Sequence, residues 1–135
     1  MTYEDMPTLE KSEIPHYHGD GTRALFVAEA IVLVVAQSTG AALPLSSVGA
    51  VVLAIILVIA AGITNPAQSR IHWINALLAV GGTFLFGISA IRHYRDGTGF
   101  FDGTFIYVEL LALLSLIALY LTTRTIRGMQ VKFEL

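Results

Sequence analysis

A chain of 135 residues that is 55% hydrophobic, only 13% charged and close to neutral, at −2, lacks the polar coat of a soluble domain, in which about a quarter of residues are charged. That charge is too small for a nucleic-acid role, and the absence of cysteine removes disulfides and thiolate metal sites. Four long apolar stretches fill most of the length, which predicts an all-α integral membrane protein: a four-transmembrane-helix bundle with short loops.

In chain order, residues 1–21 form a polar, acidic N-terminal tail in which Glu4, Asp5, Glu10, Glu13 and Asp20 face only Lys11. This is the reverse of the basic start of a cleaved secretory signal, so the tail is expected to stay on the mature protein. The first span covers about 22–43 and is broken by Gly40 and Pro44, with Ser46 and Ser47 completing a tight turn. The second, about 48–63, is the least polar and stops at Thr64-Asn65-Pro66. The third runs from about 71 to 91, and the fourth, about 105–123, follows the Asp96-Gly97-Thr98-Gly99 turn. The bundle thus occupies 22–127, and 128–135 are expected to be a short C-terminal tail.

Orientation follows from the Lys/Arg content of the short loops. With both termini cytoplasmic, the cytoplasmic segments hold Lys11, Arg23, Arg70, Arg124, Arg127 and Lys132, and the external loops hold Arg92 and Arg95. Trp73, Tyr94, Phe100, Phe101 and Phe105 fall at span ends, where aromatic rings anchor at headgroup depth.

Two carboxylates lie inside the spans. Glu29 is about two turns into the first, where an ionised group costs roughly 2.5 to 3.5 kcal/mol on insertion scales, so it should face protein or water. A proton or cation site and a hydrogen-bonded tie between helices both fit it. Helical spacing suggests an inner polar layer of Glu29, His72, Asn75 and Tyr120. Glu109 enters the fourth span from the other side and, with Arg92 and Gln37, suggests an outer ion-pair layer. On the third span Ala79, Thr83 and Gly87 continue from Asn75 at i, i+4, giving a small-residue ridge suited to close helix packing.

Signs of chemistry are few. His16-Tyr17-His18-Gly19-Asp20 could meet a divalent metal, but a chance His-x-His in a solvated tail is the commoner case, and no metal site is assigned. His72 and His93 lie at opposite ends of one span, which does not suit a bis-histidine haem. No hydrolase or phosphate-binding motif is present, so neither enzyme activity nor a cofactor is expected.

Ala28-Glu29-Ala30-Ile31, followed by Pro44 and Ser47-Val48-Gly49, resembles the first-helix glutamate and second-helix entry of the small multidrug resistance exporters. The likeness implies that Glu29 is shared by proton and cationic substrate in an antiparallel dimer. It covers about a third of the chain, and the third span lacks that family's glycine and aromatic pattern. The pronounced Lys/Arg bias also opposes the dual insertion such a dimer needs.

The expectation is therefore a non-catalytic bundle in the lipid bilayer, a homo-oligomer or an accessory to other membrane subunits. The alternative is a small proton- or cation-coupled transporter using Glu29.

Overall fold

The computed structural model describes residues 17–65, 69–99 and 101–134, with Ser69 and 131–134 as backbone only. They form four helices and, among the described residues, no strand: α1 (Gly19–Ser38), α2 (Ser47–Ile63), α3 (Ser69–Arg95) and α4 (Gly103–Glu134).

Local chemistry explains the boundaries. Both α1 and α3 end on a glycine in the left-handed region, Gly40 and Gly97, each at φ 77°. The carbonyls of Gln37 and Ala36 accept from the N–H groups of Gly40 and Ala41 at 3.2 and 3.1 Å. Those of Tyr94 and His93 accept from Gly97 and Thr98 at 3.2 and 3.0 Å. This is the same Schellman closure twice, and it stops α1 at Ser38, short of the expected 43. Ser46 caps α2 by accepting from the Gly49 N–H at 3.0 Å, and Asp102 Oδ1 accepts from the Thr104 N–H at 3.0 Å beside the positive end of α4.

The helices run up, down, up and down. α1 packs along α2 and α4, and α3 packs along α4, while α2 and α3 touch little. We call the end where α1 begins proximal and the end of the two glycine turns distal. Five of the buried residues of α1 (Thr22, Phe26, Glu29, Leu33 and Ala36) repeat at alternating four and three, the spacing of a coiled-coil seam, with Gly19 and Ala30 also buried. On α4 the matching set is Val108, Leu111, Ser115, Ala118, Thr122, Thr125 and Met129. Contacts fix the antiparallel register: Thr22 meets Thr122, and one heptad along Glu29 meets Ser115. The proximal seam runs on past the apolar run, and α4 is 32 residues long and helical through 128–134, where hydropathy places a tail. Its period continues in Thr125, Ile126 and Met129 although its apolar run has ended.

Two helical segments, Arg70–Arg95 and Gly103–Gln130, are long and apolar enough to cross a membrane. Only 22% and 28% of their apolar windows are buried, whereas the core helix of a soluble protein would be mostly covered. All four helices present large apolar side chains outward, such as Ile31, Val48, Leu77 and Leu113. The α1–α2 face carries a groove lined by Val27, Ala30, Ile31, Val34, Ala54 and Val58, among other apolar residues.

Candidate functional site

Glu29 is the buried carboxylate among the described residues, 3% exposed at mid-height of α1. Its seam position turns it towards α4, where Ser115 Oγ donates to Glu29 Oε1 at 2.8 Å. Ser115 is itself fully buried, and α3 closes over it at Gly82. A Cβ on Gly82 would stand 2.5 Å from Ser115 Oγ and 3.2 Å from Ser115 Cβ, so only hydrogen lets the backbone come this near. Three helices thus meet at one layer: a carboxylate, a hydroxyl donor and a glycine. Neither Ser115 nor Gly82 was singled out from sequence; Ser115 carried a signal, as a polar residue within an apolar run.

A second polar group gathers at the proximal end. The His18 N–H donates to Thr125 Oγ1 at 2.8 Å, and Thr22 Oγ1 lies 3.4 Å from Thr122 Oγ1, joining α1 to α4. Asn75 Nδ2 donates to Thr64 Oγ1 at 2.9 Å, and His72 Nε2 donates to the Asn65 carbonyl at 3.0 Å, joining α3 to the end of α2. Two buried polar atoms here have no hydrogen-bond partner among the described residues, Asn75 Oδ1 and His18 Nε2. The Tyr17 ring meets His72 edge to face, with centroids 5.6 Å apart.

Burial raises the Tyr17 phenol above its ordinary value, the Asp20 carboxylate adds to the rise and Arg23 opposes it. A raised folded value favours the neutral phenol. Docking of Tyr17 therefore contributes fully below pH of about 10 and is lost as pH climbs through the folded value. Phenolate absorbance, taken as the difference from Tyr17→Phe, should emerge at higher pH than for free tyrosine. Emergence at or below the free value would place Tyr17 in solvent.

The structure divides the expected inner layer. His72 and Asn75 belong to the proximal group, and Glu29 sits one heptad distal of Thr22. Tyr120 does not join them: it is 58% exposed, and its hydroxyl accepts from Arg124 Nη1 at 2.8 Å, one turn along the same helix. Helical spacing puts Glu109, Ala112, Leu116, Tyr120 and Arg127 on one face of α4, and all of these but the partly covered Ala112 are exposed, because the seam through Ser115, Ala118 and Thr122 takes the inside.

The expected outer layer does not assemble. Gln37 Nε2 donates to Ser47 Oγ at 2.7 Å, tying α1 to the start of α2. Arg92 and Glu109 are both exposed and make no ion pair with each other. Phe105 is 2% exposed and packs edge to face on His93, so it caps the core and does not anchor the surface, unlike Trp73, Tyr94 and Phe101. Phe100 lies outside the described residues.

The ridge also changes course. Ala79 is buried, but Thr83 is partly covered and turns its hydroxyl onto the Ala79 carbonyl at 2.7 Å. A Cβ on Gly87 would meet nothing within 4 Å. Steps of four residues rotate about 40° each around a helix, so the row leaves the interface. The buried row is His72, Asn75, Ala79, Phe86 and Ser89, with Gly82 at its closest approach.

Of the His16/His18 pair, His16 lies outside the described residues, and among those described no three His, Asp or Glu side chains converge as metal ligands would. No family model, curated protein or solved structure matches the chain, so comparison adds no relative to the partial likeness noted above.

Proposed function

We propose that all four helices span a membrane, with both termini on the cytoplasmic side, and that the chain is a non-catalytic component assembling with copies of itself or with other membrane subunits. One observation carries this reading: large apolar side chains face outward on every helix, including Val48 at 74% and Leu77 at 73% exposure. Soluble monomers rarely expose contiguous apolar patches beyond a few hundred Å². At 17 residues α2 is close to the minimum for a span, about 25 Å of helix at 1.5 Å per residue. Helices that share seams through small and hydroxyl side chains suit packing in lipid.

The lack of cysteine makes the test direct. Single cysteines at Thr39 and Asp96, both near the distal turns, should react with an impermeant thiol reagent from one side of sealed vesicles. A cysteine at Gln130 should react from the other side only. Thr39 and Asp96 labelling from opposite sides would refute the topology. The particle mass in nanodiscs, with each co-purifying chain identified, then separates a homo-oligomer from a heteromeric assembly, and a lone monomer would overturn the assembly role.

A second reading is favoured by the Glu29 layer. A carboxyl at mid-helix, held by one serine hydroxyl with no cationic side chain within ion-pair distance among the described residues, is suited to taking up and releasing a proton. On this reading the bundle is a small proton- or cation-coupled transporter, and Glu29 is its titrating group.

A further inference from the structure

The surroundings of Glu29 differ on its two sides. Among the described residues nine polar or charged ones are buried, and six of them, Thr22, Thr64, His72, Asn75, Thr122 and Thr125, lie proximal to the Glu29–Ser115 layer. Of these nine, Ser89 alone lies distal to it. The seam registers place Phe26, Ala118 and Ala79 between Glu29 and the proximal group, a single apolar layer about 5 Å thick. On the distal side Leu33, Leu111 and Phe86 form the first layer, Ala36 and Val108 the next, and Phe105 covers them. A proton leaving Glu29 distally must cross all of these, and proximally it crosses one.

The proximal group is also suited to hold water. Asn75 Oδ1 and His18 Nε2 are buried with no hydrogen-bond partner among the described residues, and the Thr22 hydroxyl, 3.4 Å from that of Thr122, donates to the His18 carbonyl at 3.2 Å. Buried water typically makes 2 to 4 hydrogen bonds to polar groups that would otherwise be unsatisfied, and this cluster supplies them. We propose that the proximal cluster of His18, Thr22, Asn75 and Thr122 is a hydrated vestibule through which Glu29 exchanges protons with the proximal side only, and that the Phe26 ring is the barrier between them. The exchange is a simple transfer: the carboxylate takes a proton from hydronium, leaving water, and the carboxylic acid returns it by the same route. This rests on the second reading above, that Glu29 titrates.

Other ionisable groups do not provide a competing path. Among the described residues, Asp20 and Arg23 of α1 are exposed, Tyr17 packs on His72, α2 has no ionisable side chain, and α3 brings His72 to the seam. On α4, Glu109, Tyr120 and Arg127 are exposed, Tyr107 is partly covered and Arg124 engages Tyr120.

The test follows the carboxyl C=O band of Glu29 by infrared difference spectroscopy against Glu29→Gln, in phosphatidylcholine nanodiscs after a pH jump. Phe26→Ala should speed protonation on the order of tenfold, whereas Leu33→Ala, which thins the first distal layer, should leave the rate within a factor of about two. Equal acceleration by both, or by neither, overturns the proximal route while leaving Glu29 a titrating group. Absence of any Glu29 band overturns the titrating reading and this proposal together. The unsubstituted chain gives a second measurement, free of any folding defect. In vesicles of one orientation, a pH jump on the proximal side should protonate Glu29 and a distal jump should not, and the opposite result refutes the route.

Discussion

Gly82→Leu is expected to unfold the bundle more readily than any other enlargement of a helix glycine on α3, and Gly87→Leu to leave it nearly unchanged. At Gly82 even a methyl group would overlap Ser115 Oγ, and a larger side chain would push α3 away from α4 along their contact. Overpacking of this kind costs about 1 to 3 kcal/mol. Displacing the Ser115 hydroxyl also strips Glu29 of its donor, and hydrogen bonds to charged groups are worth roughly 1.5 to 3 kcal/mol. Gly87 has open space where its Cβ would stand. Thermal unfolding of each variant in one detergent should show a large drop in midpoint for the first alone. Equal midpoints would mean that α3 does not approach α4 at Gly82, and a lower midpoint for Gly87→Leu would return the interface to the i, i+4 ridge.

Glu29→Gln should preserve the folded bundle and abolish any proton-coupled activity. The amide is nearly isosteric, and its carbonyl oxygen can accept from Ser115 Oγ as Oε1 does now, so mass and helix content should not change. What the amide cannot do is bind and release a proton near neutral pH. In vesicles with an imposed pH gradient and an internal pH dye, proton-coupled flux should fall to the protein-free level. Flux equal to that of the unsubstituted chain would eliminate Glu29 as the coupling group and leave its tie to Ser115 as a structural link.

Much of the helix order was legible in sequence because glycine and proline punctuate apolar runs strongly. Gly40, Ser46, Asn65 and Gly97 lie at or next to the breaks they suggest. What hydropathy does not carry is which face of a helix turns inward when apolar residues surround it. On α4, Leu110, Leu113 and Leu116 look like a core but face outward, while Ser115, Thr122 and Thr125 look like a surface and are buried. The polar side chains of α4 turn inward because they hydrogen-bond between helices.

The candidate site was legible in part for the same reason. Glu29 stands out by charge alone, and Asn75 and His72 by being polar within a span. Their partners are small or hydroxyl residues whose importance depends on register. Glu29 and Ser115 are separated by 86 residues, and nothing local announces that they share a layer. The i, i+4 ridge went astray over a few turns because the true period is nearer 3.5, so Gly82 replaces Gly87 at the contact.

The pairing of the first helix with the last has a consequence for biogenesis. Each hairpin, α1 with α2 and α3 with α4, joins neighbours in sequence and can form as it emerges, but the Glu29 carboxyl gains its hydroxyl donor only when residue 115 has been made. At a synthesis rate of about 5 to 20 residues per second, α1 waits several seconds with an unsatisfied acid in its middle. A chain cut after α3 keeps that defect permanently. Incomplete products therefore differ from finished ones in one feature, an acid without its donor in the middle of an apolar helix. Completion of α4 removes the mark.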